Sequence, residues 1–127
     1  MHIDQSEPPR SFNLPHGKDT VTLTVSAFLN LESNEIVTFK NGKDEEYDVT
    51  RKNWGYYATP SINERLKNNN FRTALVINSH GHLYVMLVEK VKLHLFHEYI
   101  DKDKQTILCW LDDPEVLKKL KSEFFFK

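Results

Sequence analysis

Residues 54–111 alternate between two patterns of hydrophobic positions, one with the period of a strand and the other with the period of a helix. Four segments, at residues 54–58, 71–77, 83–88 and 105–111, are apolar or alternating and predict strands. The stretch after the first strand and the stretch after the third predict helices. The predicted order is therefore βαββαβ, which is typical of the ferredoxin-like sandwich, an α+β fold.

The two helices inside this unit have recognisable start signals. The first begins at Thr59 and Pro60, since a hydroxyl cap followed by proline is a common helix start. A second possible start is a capping box formed by Ser61 and Glu64. The second helix covers residues 90–100 and should turn four apolar side chains toward the core: Val91, Phe96, Tyr99 and Ile100.

Two further elements flank the βαββαβ unit. Residues 19–50 alternate strongly and contain the favoured hairpin turn Asn41-Gly42, so they predict an N-terminal antiparallel β-meander. Residues 113–124 predict an extra C-terminal helix that begins at Asp113 and Pro114. The meander, the unit and the extra helix together make a single expected domain over residues 19–127.

The first 18 residues have a different composition. They are mostly polar and contain Pro8, Pro9 and Pro15, so they cannot sustain a helix or a regular strand ladder. Chain ends of this kind are usually poorly ordered unless they dock on the body of the domain. We therefore expect residues 1–18 to form an extended mobile arm.

The central predicted strands, residues 71–77 and 83–88, are apolar on both faces. A ferredoxin-like sandwich covers only one face of its sheet with helices, so something else must cover the other face. The candidates are the meander, the C-terminal helix and a second copy of the chain. The run Phe124, Phe125 and Phe126 adds apolar surface, and we expect a homodimer that covers both features.

Charge and hydropathy exclude several classes of function. Lys and Arg number 17 against 18 Asp and Glu, so no overall positive field would attract nucleic acid, and we do not expect it as a partner. The longest apolar stretch, residues 83–88, is far too short to cross a membrane, and residues 1–10 lack the pattern of a signal peptide. The single Cys109 cannot form an internal disulfide. We therefore expect a cytoplasmic protein with no membrane partner.

The closely spaced histidines are the first candidates for a metal-binding or catalytic site. His80 and His82 flank a glycine, and His94 and His97 lie three residues apart on the second predicted helix. A zinc site needs three or four converging ligands, and nothing in the sequence brings these two pairs together. We therefore expect no metal, no cofactor and no catalytic residues.

An aromatic and polar segment at the junction of the first strand and the first helix is the better candidate for a site. Trp54 and Tyr57 precede the predicted helix start, and Asn63 and Arg65 follow it. Aromatic rings next to the N–H groups of a helix start can bind a sugar, a base or a carboxylate. If these residues are not simply packed in the core, they form a ligand site in which Arg65 pairs with an anionic group.

These features favour a small cytosolic binding or accessory module without enzymatic activity. We expect it to be dimeric and to hold a small polar or anionic ligand or a protein partner. The alternative is a small enzyme in which His80 or His82 acts as a general acid–base, since histidine titrates near neutral pH. A catalytic histidine would need a second reactive group, and the sequence does not supply one.

Overall fold

The structure is a computed structural model that describes residues 1–4, 10–42 and 45–125. It confirms the α+β class and contains several small sheets. The chain groups into two compact units. The first unit comprises Met1–Phe39 and Tyr47–Thr59, and the second comprises Lys40–Glu46 and Pro60–Lys127. The expectation of one domain over residues 19–127 stays a prediction.

The first unit consists of short antiparallel strands in separate small sheets. β1 pairs with β4, β2 pairs with β3, and β5, β6 and β7 form a three-stranded sheet in that order. The end of β5 from Lys40 and the start of β6 up to Glu46 are grouped with the second unit. The strands are β1 (His2–Asp4), β2 (Ser11–His16), β3 (Asp19–Thr24), β4 (Phe28–Asn30), β5 (Ile36–Asn41), β6 (Glu45–Lys52) and β7 (Gly55–Ala58).

The N-terminal segment differs from its prediction. The described part of residues 1–18 forms the paired strands β1 and β2, whereas an unpaired mobile arm was expected. Phe12 lies opposite Leu23 and Leu14 lies opposite Val21, and such cross-strand apolar pairs stabilise a hairpin. Pro8 and Pro9 lie outside the described residues. The meander expected over residues 19–50 does not form one sheet, since its strands are divided among three sheets. Its first alternating segment is β3, which pairs with the preceding strand β2.

The strands of the first unit are joined mainly by surface interactions. Among the described residues, every buried apolar side chain of the core belongs to the second unit. In the first unit the guanidinium of Arg10 lies 5.7 Å from the Phe12 ring centre and 4.9 Å from that of Phe28. The buried hydroxyl of Thr50 lies 2.5 Å from that of Thr59. The first unit therefore depends on cross-strand pairing and cation–π contacts.

Glu35 gives the first unit a testable acid dependence. Its carboxylate accepts a 2.8 Å hydrogen bond from the Glu32 N–H and lies 3.0 Å from the Met1 ammonium, and these two partners, in that order, lower the pKa of Glu35. A lowered pKa in the folded state means that this stabilisation is present above the unfolded-state pKa and is lost as pH falls through the folded-state value. We expect a carboxyl NMR titration of Glu35 with a midpoint below 4.5. A midpoint at or above that value would contradict the two contacts.

The second unit contains the longest helices and the hydrophobic core. Its sheet is antiparallel with the strand order β10-β8-β9. A 3₁₀ turn at Lys90–Lys92 leads from β9 into α2. The elements are α1 (Arg65–Asn68), β8 (Phe71–Ile77), β9 (Leu83–Glu89), α2 (Leu93–Lys102), β10 (Thr106–Trp110) and α3 (Pro114–Phe124).

The ferredoxin-like topology is not confirmed. The first strand of the expected βαββαβ unit is β7, and β7 pairs with β6, so the sheet of β8, β9 and β10 has three strands among the described residues. Lys52 pairs with Gly55 across a turn formed by Asn53 and Trp54, which makes β6 and β7 a tight hairpin. A short hairpin closes at a lower entropic cost than a long crossover, and Gly55 accepts the positive φ of 148° at this position.

The core lies between one face of the sheet and α2. Ala74 and Val76 of β8 are fully buried against Ile100 of α2. The prediction that Phe96 and Ile100 face the core is confirmed, whereas Val91 and Tyr99 are 71% and 42% exposed. Val91 lies in the 3₁₀ turn before α2, so it does not share the helical phase of Phe96 and Ile100. The partly buried side chains that complete the core are Met86, Phe96, Ile107 and Trp110.

The helix starts agree with the sequence only in part. Asp113 caps α3 as predicted, since its carboxylate accepts a 2.8 Å hydrogen bond from the Glu115 N–H. In contrast, α1 has four residues and begins at Arg65, after both predicted start sites. Its Leu66 is buried, whereas Ile62 lies before the helix and is 37% exposed. No helix among the described residues has the length and apolarity that a membrane span requires.

Candidate binding surfaces

The four predicted site residues are divided between the two units. Trp54 and Tyr57 belong to the first unit, and Asn63 and Arg65 belong to the second. Asn63 is exposed in the turn before α1, and Arg65 is the first residue of that helix. Because α1 has four residues and begins at Arg65, the helix start expected at Thr59 and Pro60 is not formed. The residues themselves stay a prediction.

The aromatic part of the predicted site has a defined geometry. Trp54 lies in the turn of the β6–β7 hairpin, and Tyr57 lies three residues later on β7. Their rings are stacked, with centres 6.1 Å apart and planes inclined by 23°. Trp54 is 67% exposed and Tyr57 is 44% exposed, so neither ring is packed in a core. The interpretation of these aromatics as core residues, which their place in a predicted strand favoured, is wrong.

Polar groups accompany this aromatic pair on one face of the hairpin. Thr50 lies directly opposite Tyr57, and Lys52 lies opposite Gly55, so Lys52 is the diagonal neighbour of Tyr57 on the same face. The Lys52 ammonium donates a 2.6 Å hydrogen bond to the side-chain oxygen of Asn34. We name Lys52, Trp54 and Tyr57 the aromatic–lysine face. It combines exposed ring surface with a positive charge.

The opposite face of the same sheet also carries aromatic rings. The Arg51 guanidinium lies 4.9 Å from the centre of the Tyr56 ring and donates a hydrogen bond to the Gly55 carbonyl. Phe39 and Tyr47 stack with ring centres 6.3 Å apart. The cation on this face therefore contacts an aromatic ring and a carbonyl, whereas the lysine of the aromatic–lysine face donates to a side-chain amide oxygen.

The hairpin histidines lie on the turn between β8 and β9. The side-chain oxygen of Asn78 accepts hydrogen bonds of 3.0 and 2.9 Å from the backbone N–H groups of His80 and His82. Gly81 closes the turn with a φ of 84°. The two imidazole rings are exposed with centres 6.3 Å apart, and no acid is placed to orient either of them in the described part of the chain. The conformation of the turn is explained by these backbone hydrogen bonds and by Gly81.

Metal ligands do not converge in the regions described. No group of three or more His, Cys, Asp or Glu side chains within residues 1–4, 10–42 and 45–125 could hold a metal ion. His94 and His97 lie on the exposed side of α2, and the ring of His97 contacts Phe96.

The sheet of the second unit has one packed face and one partly exposed face. Leu83 lies opposite Ile77 and Val85 lies opposite Leu75, so these side chains and Leu87 share the face that does not contain the buried residues Ala74 and Val76. We name this group the second face. Leu83 is 59% exposed and Val85 is 65% exposed, while the remaining members are half-buried. The sequence predicted an apolar second face, and the strand register places its members together.

A buried ion pair beside the core was missed in the sequence. Asp112 is 1% exposed and accepts two hydrogen bonds from the Arg72 guanidinium, at 2.9 and 3.3 Å. The same guanidinium lies 4.3 Å from the centre of the Trp110 ring, which meets Phe96 edge-on at 5.8 Å. The sequence did carry a signal for this pair, since Arg72 lies in an otherwise apolar central strand. A charge in such a position is expected to be buried, and a buried charge needs a partner of opposite charge. The cluster fixes the end of β10 against β8.

Comparison with protein-family models, with curated protein sequences and with solved structures gave no match.

Proposed function

We propose that this chain is a small binding module without enzymatic activity, that it acts in the cytoplasm, and that it forms a homodimer through the second face. The observation that carries the proposal is the exposure of Leu83 and Val85, 59% and 65%, on a sheet whose other face is packed under α2. Adjacent exposed aliphatic side chains on a sheet are costly in water and mark interaction surfaces in folded proteins.

An exposed apolar patch of ordinary size would support only a modest dimer interface. Exposed apolar patches of this kind are on the order of 400 Å² on one molecule. Two copies packed face to face, with a polar rim of ordinary proportion, would bury roughly 1,200 Å² in total, which is the lower end of the range for specific interfaces. We therefore expect association in the micromolar range rather than an obligate dimer.

The charge pattern supports a second copy as the occupant. In a two-fold symmetric contact each side chain near the axis meets its own equivalent, so charged residues there would repel one another. The two exposed members of the second face, Leu83 and Val85, carry no charge, and Glu89, on the same face at the other end of β9, is held by Lys92 at 3.1 Å and by Asn41 at 2.7 Å. A partner recognised by charge would require charged groups beside Leu83 and Val85.

A single substitution tests the dimer. Val85→Glu places a carboxylate in the centre of the second face and is expected to weaken association at least tenfold, because a buried like-charge pair is unfavourable. The matched control is Val91→Glu, which introduces the same change at a valine that is 71% exposed in the 3₁₀ turn. Sedimentation equilibrium across micromolar concentrations measures both variants against the unmodified chain.

The outcomes separate the possibilities. A concentration-dependent dimer that Val85→Glu disrupts and Val91→Glu leaves intact supports the proposal. A monomer of 15.0 kDa at high micromolar concentration in the unmodified chain overturns it. Equal effects of the two substitutions would also contradict it, since they would indicate a general influence of added negative charge.

A further inference from the structure

We propose that the aromatic–lysine face binds a small molecule made of one ring that can stack, either a base or a sugar, and one negatively charged group. The ring would stack on Trp54, with Tyr57 behind it, and the charged group would pair with the Lys52 ammonium. This goes beyond the proposed dimer and does not depend on it, because these residues belong to the first unit and the second face belongs to the second.

The ring part follows from the aromatic pair. Tyr57 supports one side of the Trp54 ring at 6.1 Å, while 67% of Trp54 remains exposed. The indole is thus held in place by stacking but still offers ring surface to a ligand. Ordering a side chain before binding reduces the entropy that the ligand must overcome, and an exposed aromatic plane accepts either a base or the apolar face of a sugar.

The charged part follows from the strand register. Lys52 and Tyr57 are diagonal neighbours on one face, and the residue directly opposite Lys52 is Gly55, which has no side chain. A Cβ placed on Gly55 would meet no atom within 4 Å apart from its chain neighbours, so there is open space beside the lysine. Asn34 accepts one of the three N–H donors of the ammonium and thereby directs it. A phosphate or carboxylate can accept a remaining donor.

The other face of the hairpin provides a contrast within the same sheet. There the Arg51 guanidinium is engaged by the Tyr56 ring at 4.9 Å and by the Gly55 carbonyl at 3.1 Å. Its positive charge is therefore partly satisfied within the chain. Tyr56 is 58% exposed, which is more than Tyr57, so exposure of an aromatic side chain alone does not separate the two faces. What separates the faces is the cation, because the Arg51 guanidinium lies over the Tyr56 ring, whereas the Lys52 ammonium donates to Asn34 and keeps two further N–H donors.

Two sources supply this ligand chemistry, nucleotides and sugar acids. Uridine 5′-monophosphate and glucuronate serve as probes, and uridine and glucose are their neutral counterparts. Isothermal titration calorimetry on the full chain measures all four. We expect one anionic probe to bind and its neutral counterpart to bind at least tenfold more weakly, because the Lys52 contact is lost. Whichever anionic probe binds identifies the source.

Substitutions on the two faces test the location. Trp54→Ala and Lys52→Gln are each expected to weaken binding of the active probe about tenfold or more, while Tyr56→Ala, on the opposite face, should change it less than twofold. Trp54→Phe keeps a ring at the position and should retain most of the affinity. Far-UV circular dichroism verifies that each variant is folded, and Val85→Glu should bind as the unmodified chain does, which separates this site from the dimer.

The proposal is overturned by any of three results. The first is that neither anionic probe binds at millimolar concentration. The second is that the neutral and anionic forms bind equally, which would remove Lys52 from the site. The third is that Tyr56→Ala weakens binding as much as Trp54→Ala, which would place the ligand elsewhere on the sheet.

Discussion

Arg72→Met is expected to lower the free energy of unfolding by about 3 kcal/mol, the size of effect found when one partner of a buried ion pair is removed. Asp112 is 1% exposed, so loss of the guanidinium leaves its carboxylate buried without the two hydrogen bonds at 2.9 and 3.3 Å. Methionine keeps an apolar chain over Trp110, which limits the change to the charge itself. Urea unfolding followed by circular dichroism measures the difference.

A second substitution distinguishes the ion pair from simple packing. Removing both charges with Arg72→Met and Asp112→Leu leaves no buried charge unpaired, so the double variant should be more stable than Arg72→Met alone. Lys118→Met, at an exposed position of α3, controls for the loss of one positive charge and should change stability by less than about 0.5 kcal/mol. If the double variant is less stable than the single one, the pair is not what stabilises this end of β10.

Ile100→Ala is expected to cost about 3 kcal/mol, because it opens a cavity where α2 meets the sheet. Ile100 is 4% exposed and contacts the cluster formed with Ala74 and Val76, which are fully buried. Few other side chains contribute to this core, so little of the lost contact can be recovered by rearrangement. Thermal and urea unfolding should both show the loss.

Leu95→Ala is the matched control for this prediction. Leu95 is on the same helix, but it is 50% exposed, so its truncation removes little buried surface and should cost less than about 1 kcal/mol. A similar cost for Leu95 and Ile100 would mean that α2 packs through a different side. The pair of variants therefore tests the orientation of the helix as well as the position of the core.

Local patterns predicted the elements of the second unit well. The apolar runs became β8 and β9, the glycine at position 81 lies in their turn, and Asp113 with Pro114 begins α3 as expected. Each of these depends on interactions within a few residues, which the sequence displays directly. The core-facing positions of Phe96 and Ile100 were also predicted correctly, because residues four apart on a helix lie on the same side.

Strand partners were harder to predict, because pairing is decided by competition between segments distant in sequence. Residues 54–58 have the composition of a strand, but their composition does not say whether β7 joins β8 or β6. The tight turn at Asn53 and Trp54 favours β6, and that choice moves Trp54 from a strand into an exposed turn. Trp54 and Tyr57 are then grouped with the first unit, and Asn63 and Arg65 with the second.

The sequence by itself determined the α+β class, the position of most strands, the α3 cap and the presence of an apolar second face, because all of these follow from hydrophobic period and local turn chemistry. Only the tertiary structure decided which strands pair, that Arg72 meets Asp112, and that Lys52 shares a face with Tyr57. These contacts depend on strand register or on residues up to 40 positions apart in the sequence. Neither the composition nor the local hydrophobic period of a segment specifies its distant partner.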